Sequence, residues 1–230
     1  MTLLHQAQVS GWLRGHLLCR VDDTPGRFAL TFDDGPDPAF TPQVLEVLAR
    51  HGAHATFFML RPSVRRHPAL ARRVLEAGHE IGNHGDRHLP LLVSPPPWLA
   101  HEVDSGERAI EQATGVRPRF YRPPFGLMFP SQARWVRSRG YEPVLGDVYP
   151  EDPQRPGIET ITRRVLARLT AGSIVILHDG SAWVRMDRSQ TVAALDRILA
   201  WAAAQGLKGV SVGELLDQES SEAGWPDRKA

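Results

Sequence analysis

Short apolar runs alternate along the chain with amphipathic runs, and Gly or Pro residues mark most of the boundaries. Residues 27–32 are mostly apolar and end at the polar string Asp33-Asp34-Gly35-Pro36. Residues 41–52 follow with Pro42 in the first turn and apolar side chains at helical spacing, which predicts a helix. The same order of strand and then helix recurs about seven times. This alternation is typical of a parallel sheet covered by helices.

The pattern predicts strands at residues 27–32, 54–60, 79–83, 119–121, 141–145, 173–177 and 207–212. It predicts helices at residues 41–52, 63–78, 98–114, 130–140, 158–169, 191–204 and 214–216. Open doubly wound sheets and closed barrels both fit this order. The candidate polar residues each follow a predicted strand, and in a barrel those strand ends converge on one mouth. We therefore predict an α/β fold, a distorted (β/α) barrel of about seven parallel strands in a single domain.

Composition narrows the class of protein. With 230 residues and 42% hydrophobic residues the chain suits one domain with a sizeable core. A net charge of +1 without a basic stripe argues against a nucleic-acid partner, and no apolar stretch approaches the roughly 18 residues of a membrane span. Cys19 is the only cysteine, so no intrachain disulfide forms. The first residues lack the features of a signal peptide, which predicts a cytoplasmic protein, or an exported one if a leader precedes this sequence.

Two histidines stand at a spacing that suits a metal ion. His84 and His88 are four residues apart after a short predicted strand. Zinc binds neutral imidazole well, and such a pair can share one ion where the backbone curls. The chain has ten histidines, so the pair taken alone also fits a chance arrangement.

A pair of carboxylates precedes them in the chain. Asp33 and Asp34 would point to opposite faces of a regular strand, but Gly35-Pro36 breaks the strand and lets both reach one site. Taken alone, this string is also typical of a polar turn. Two histidines and one aspartate leave positions open for water and substrate, as catalytic zinc requires. The second carboxylate can then take a proton from the water that the metal activates.

Two further residues add to this set. Arg122 precedes Pro123-Pro124, which favours an extended segment, so its guanidinium can hold a carboxylate in one orientation or lie on a surface turn. His178 ends an apolar strand, where it is either a core histidine or, at a barrel mouth, a candidate general acid.

Four short strings carry these residues in one order, namely Thr31-Phe32-Asp33-Asp34-Gly35-Pro36, His84-Gly85-Asp86-Arg87-His88, Arg122-Pro123-Pro124-Phe125 and Ile176-Leu177-His178-Asp179. On these strings the chain resembles the polysaccharide deacetylase family, carbohydrate esterase family 4, over about residues 28–216. The resemblance implies a catalytic barrel at residues 27–217, which leaves residues 1–26 as an N-terminal extension and 218–230 as a polar tail. The role of residues 1–26 and the oligomeric state stay open.

The resemblance also implies a role for each matched residue. It makes Asp33 the general base, Asp34, His84 and His88 the metal ligands, Arg122 the group that orients the base, the backbone N–H near Phe125 an oxyanion donor, His178 the acid, and Ile176 a wall of the acetate pocket. It implies one divalent metal ion, zinc, with cobalt or another divalent ion as the alternative.

The chain departs from the family pattern in two strings. Gly85 stands where the family usually has Ser or Thr, so a hydroxyl that would brace the loop is missing. In the fourth family motif Asp152 keeps the position that pairs with the catalytic histidine and raises its pKa, while Tyr149 and Pro153 replace an aspartate and a groove tryptophan. Asp147 is a rival partner for the histidine, ranked below Asp152.

These observations favour a metal-dependent amidohydrolase that removes acetyl from an N-acetylated sugar. The altered fourth motif leaves a second hypothesis open, a deacylase or deformylase of a small or lipid-linked amide on the same fold. A third hypothesis, a non-catalytic glycan-binding remnant, is disfavoured because base, ligands, arginine and acid are all retained.

Overall fold

The computed structural model describes residues 16–93 and 95–217. This part of the chain contains seven strands: β1 (Arg27–Asp33), β2 (Thr56–Met59), β3 (Glu80–Asn83), β4 (Phe120–Tyr121), β5 (Glu142–Pro143), β6 (Ile174–His178) and β7 (Lys208–Val210). Its α-helices are α1 (Thr41–Arg50), α2 (Arg61–Arg66), α3 (Pro68–Glu76), α4 (Pro96–Thr114), α5 (Pro130–Ser138), α6 (Ile158–Leu166), α7 (Ser189–Ala204) and α8 (Val212–Asp217). Strands and helices alternate as the hydrophobic pattern predicts.

All seven strands lie in one parallel sheet with β1 near its centre. The order is β5-β4-β3-β2-β1-β6, and β7 pairs with the first residues of β1, at Arg27 to Ala29. The register places Asp33, the last residue of β1, beside His178, the last residue of β6. The sheet curls into a half-barrel surrounded by helices, which confirms the predicted fold class.

The gap between β5 and β6 is closed by irregular segments. Leu18 forms a parallel bridge with Val144, and Val148 forms one with Val175. The Leu18 N–H donates to the Pro143 carbonyl at 2.9 Å, so part of the predicted N-terminal extension lies in this seam. The predicted division of the chain at residues 26 and 217 stays a prediction, and residues 1–15 and 218–230 lie outside the described part.

The side chains of strand β1 point alternately into two hydrophobic clusters, one on each face of the sheet. Phe28, Leu30 and Phe32 are fully buried in the cluster beneath the helices. Ala29 belongs to a second cluster that fills the barrel interior. Side chains two residues apart share a face, so Thr31 and Asp33 follow Ala29 inward. The strand thereby directs Asp33 into the mouth of the barrel.

The structure divides one predicted helix into two. The prediction of a single helix at residues 63–78 is wrong, because α2 ends at Arg66 and α3 begins at Pro68. His67 between them has φ −133° and ψ 55°. Proline lacks an N–H and disfavours helical dihedral angles in the residue before it, so the chain breaks there.

No helix in the described ranges is long and apolar enough to cross a membrane. The location of the protein in the cell stays a prediction.

Candidate active site

One cavity at the carboxyl ends of the strands collects most of the predicted site residues. It measures about 410 Å³. The predicted residues that line it are Asp33, Asp34, His84, His88, Arg122, Phe125, Ile176 and His178. Asp152 lies behind His178, outside the lining. Parallel pairing explains the convergence, because the carboxyl ends of all the strands face the same mouth.

The turn after β1 brings two adjacent carboxylates to one cavity. Asp34 has φ 73°, a left-handed conformation that ends the strand and turns its side chain back to the mouth. A Cβ on Gly35 would lie 2.5 Å from the Asp179 carboxylate, and a Cβ on Gly180 would lie 2.5 Å from the Asp34 carbonyl oxygen. Glycine at both positions is therefore required for this close approach.

Asp34, His84 and His88 form a group that could hold a metal ion. Their ligand atoms all lie within 4.8 Å of one another. Asp34 Oδ1 lies 3.6 Å from His84 Nε2 and 3.5 Å from His88 Nε2. Ligands about 2 Å from a tetrahedral ion are about 3.3 Å apart, so this spacing fits zinc. Asp34 Oδ1 is buried, and no hydrogen-bond partner for it lies in residues 16–93 or 95–217, as expected of an atom reserved for a ligand.

Burial keeps both histidines in the neutral form that binds a metal, and a hydrogen bond also orients the ring of His84. His84 Nδ1 donates to the Arg122 carbonyl oxygen at 2.8 Å, which leaves the lone pair of Nε2 directed at the group. Burial, together with the nearby His88, lowers the pKa of His84 to about 3. Burial also lowers the pKa of His88. Both rings are therefore neutral near pH 7, and only neutral imidazole binds a metal ion.

Arg122 is almost fully buried beneath Asp33. Its Nη1 donates to Asp33 Oδ1 at 2.7 Å and to the Thr31 hydroxyl at 2.7 Å, and the guanidinium carbon lies 4.1 Å from the ring centre of Phe58. Burial lowers the pKa of Arg122, and the neighbouring Asp33 opposes that shift. Charge-assisted hydrogen bonds of this kind fix orientation, so one oxygen of Asp33 is engaged and the other faces the cavity.

His178 and Asp152 form a second hydrogen-bonded pair, with His178 in the same cavity. His178 Nδ1 donates to Asp152 Oδ1 at 3.0 Å, and the His178 backbone N–H donates to Oδ2 at 3.0 Å. The Thr191 hydroxyl donates to the same Oδ2 at 2.9 Å. Burial alone would lower the pKa of His178, but the charge and hydrogen bond of Asp152 outweigh it, and the net shift is upward.

Asp147, the rival partner, lies elsewhere. Its Oδ1 accepts the Ile174 N–H at 2.8 Å, and its Oδ2 accepts from Arg20 at 3.2 Å. Asp147 therefore joins the closing segments of the barrel, away from His178.

The loop that carries His84 and His88 lacks the hydroxyl expected at position 85, and other side chains brace it instead. Glu102 on α4 is buried, and its Oε2 accepts the N–H groups of Asp86 and Arg87, each at 2.9 Å. Asn83 Oδ1 accepts the Gly85 N–H at 2.9 Å. Gly85 has φ 92°, which a side chain would strain. One feature of the sequence indicates a structural role for Glu102, which is its position as an acidic residue on the apolar face of a predicted helix.

The cavity wall contains both the altered residues of the fourth motif and residues that the sequence did not indicate. Tyr149 and Pro153, the two departures in the fourth motif, both line the cavity, and the Tyr149 ring centre lies 6.1 Å from that of His178. The segment after β6 adds Trp183 and Arg188. Nothing in the local pattern around these two residues indicates which way they face.

Comparisons with known proteins identify the family of this chain. Residues 20–144 match the family model described as polysaccharide deacetylase. A peptidoglycan-N-acetylglucosamine deacetylase of Bacillus cereus is 41% identical over 204 residues, covering 88% of this chain and 93% of the relative. A chitooligosaccharide deacetylase of Sinorhizobium fredii is 40% identical over 177 residues, covering 74% and 82%.

Two solved structures share the fold. The Bc1960 peptidoglycan N-acetylglucosamine deacetylase, bound to a naphthalenyl N-oxidanyl-benzamide, has a TM-score of 0.82 at 28% identity and covers 89% of this chain and 94% of that one. A pseudoenzyme of carbohydrate esterase family 4, BA3943 from Bacillus anthracis, has a TM-score of 0.80 at 26% identity, with 87% and 68% covered. The family match, the sequence identity and the shared fold together show that this chain belongs to the polysaccharide deacetylase family.

Proposed function

We propose that this protein is a metal-dependent deacetylase that removes the acetyl group from N-acetylated sugars in a glycan. Family membership makes the chain a hydrolase of the polysaccharide deacetylase type. One observation supports the activity above all, which is that a single cavity joins an Asp-His-His group, a carboxylate held by Arg122 and a histidine held by Asp152. The named relatives act on peptidoglycan and on chitooligosaccharides, both of which carry N-acetylated sugars.

We propose zinc as the ion, held by Asp34, His84 and His88. Two imidazole nitrogens and one carboxylate oxygen suit zinc, and cobalt is the alternative with the same ligands. A bound ion would polarise the amide carbonyl and lower the pKa of an attacking water.

The protein's own groups then move two protons. Asp33, with one oxygen held by Arg122, accepts a proton from the attacking water at its free oxygen. His178, whose Nδ1 is held by Asp152, donates a proton from Nε2 to the departing amine nitrogen. The C–N bond breaks, and the products are acetate and a free amino sugar. Phe125, with φ 59° at the cavity wall, is proposed to direct its backbone N–H at the developing oxyanion.

Acetate release is the direct test of this function. We expect the purified protein to release acetate from N-acetylglucosamine oligomers or from peptidoglycan fragments. Chelation should stop this release, and added Zn²⁺ should restore it. Nucleotide-linked and lipid-linked N-acetyl sugars and N-formyl analogues belong in the same panel, because Tyr149 and Pro153 reshape the cavity wall. Release from only a small or lipid-linked amide would favour the second hypothesis. Glycan binding without release, at any metal supplement, would make this chain a pseudoenzyme like BA3943.

The pairing of His178 with Asp152 predicts a pH effect. An acid must be protonated to act, so activity falls as pH rises through the pKa of His178. Asp152 raises that pKa, so Asp152→Asn is expected to move the alkaline limb of the profile of kcat against pH to lower pH. Asp147→Asn is the matched control, because Asp147 has no contact with His178. An alkaline limb that stays in place in Asp152→Asn would show that His178 is not the acid.

A further inference from the structure

An exposed tryptophan stands at the rim of the active-site cavity. Trp183 lies in the segment between β6 and α7 and is 66% exposed. Its Nε1 donates to the Arg87 carbonyl oxygen at 3.2 Å. Its ring centre lies 5.3 Å from that of His88 and 6.0 Å from that of Phe125. The indole is therefore held in one orientation while most of its surface faces solvent.

This combination favours a surface for a ligand. Exposing a large aromatic side chain leaves its apolar surface in water, and a hydrogen bond to the backbone removes the freedom that would let it fold away. The proposed substrate is a chain of pyranose rings, each with an apolar face of C–H groups that can lie flat on an indole. Val184 beside it is 68% exposed and also lines the cavity, so the rim is apolar.

A second cavity is lined in part by Arg87, the residue whose carbonyl accepts the hydrogen bond of Trp183. It measures about 310 Å³ and is lined by Arg87, Trp98, His101, Glu102 and Pro97. Trp98 is 52% exposed, so this cavity also presents an indole face. The carbonyl of Arg87 accepts from Trp183, while other atoms of Arg87 line the second cavity. The two aromatic surfaces are thus connected through Arg87, which contacts Trp183 and lines the second cavity.

We propose that Trp183 is a stacking platform for the sugar next to the reacting one, and that the cavity at Trp98 binds a more distant sugar of the same chain. The two tryptophans would thereby set how strongly affinity depends on the length of the glycan. This inference rests on the proposed function for the identity of the ligand. In this proposal both tryptophans bind sugars that do not react, and neither supplies a group for proton transfer or metal binding.

Binding as a function of glycan length tests the proposal. The probes are N-acetylglucosamine and its β-1,4-linked dimer and hexamer, titrated calorimetrically into the Asp33→Asn variant, which is expected not to turn them over. Trp183→Ala in that background should raise Kd for dimer and hexamer about tenfold and leave the monomer unchanged. Trp183→Phe should keep most of the affinity, because an aromatic face remains. Trp98→Ala should weaken only the hexamer.

Arg185→Ala is the matched control on the same segment, because Arg185 is exposed and does not line the cavity. In the chain that keeps Asp33, Trp183→Ala should raise KM for the hexamer about tenfold and leave KM for the monomer unchanged. An unchanged Kd for every length, or an equal loss of kcat for monomer and hexamer, would overturn the platform and leave Trp183 as a cover for His88. An unchanged hexamer Kd in Trp98→Ala would overturn the distant subsite. If no acetate is released but the dependence on length holds, the proposed activity fails, and Trp183 and Trp98 remain as binding surfaces for a glycan.

Discussion

Asp34→Ala is expected to abolish both metal binding and acetate release. The variant loses one of three ligand atoms, and the two remaining imidazoles are too few for a catalytic zinc site. We expect kcat/KM to fall by at least about 10³-fold, because polarisation of the carbonyl and activation of water are lost together. Metal content by mass spectrometry and acetate release measure the two effects side by side.

The fold should survive this change. Among the described residues no donor bonds Asp34 Oδ1, so its removal breaks no hydrogen bond at that atom. We therefore expect the urea midpoint of Asp34→Ala to match that of metal-free wild-type protein. Glu46→Ala, on the exposed face of α1, is the control for loss of an acidic side chain. Full activity after chelation, or wild-type metal content in Asp34→Ala, would contradict the metal assignment.

Asp33→Asn is expected to separate metal binding from proton transfer. An amide keeps the shape and can still accept from Arg122, but it cannot take a proton from water. Loss of a positioned base costs about 10²-fold to 10⁴-fold in rate, so kcat should fall by about 10³-fold while metal content stays at the wild-type level. Acetate release and metal content are measured on the same preparation.

The same variant removes the anion beside a buried guanidinium. We expect it to lose up to about 3 kcal/mol of unfolding free energy, because Arg122 keeps its charge without a charged partner. Thr31→Val removes the other acceptor of Arg122 Nη1 and leaves the carboxylate, which makes it the control for disturbance of the arginine. If Asp33→Asn kept wild-type kcat while folded and metal-loaded, another group would have to be the base.

Local rules explain which parts of the site the sequence predicts. The period of two along residues 27–33 predicts that the side chain of Asp33 faces inward, and Gly35-Pro36 predicts the break that lets Asp34 turn to the same cavity. The alternation of strand and helix predicts that these residues meet His84 and His178, because parallel strands end at one mouth. The helix break at Pro68 also follows from a local rule, because proline disfavours helical dihedral angles in the residue before it.

Contacts between distant segments decided the rest. Glu102 contacts the N–H of Asp86 across 16 residues, and Leu18 closes the seam beside Val144 across more than a hundred residues. Trp183 reaches Arg87 over a similar separation. Such contacts depend on how whole elements pack, which no local period or propensity encodes.

The sequence by itself determined the order of the elements, the turn chemistry at Gly35-Pro36 and the residue types of the predicted site, because each depends on neighbours within a few positions. The resemblance ranks Asp152 above Asp147 as the partner of His178, and the structure shows that contact. Only the tertiary structure decided that a glutamate takes the place of a missing hydroxyl and that an indole stands over His88. The physical reason is that hydrogen bonds and aromatic contacts act over a few ångströms, and folding alone sets which distant residues come that close.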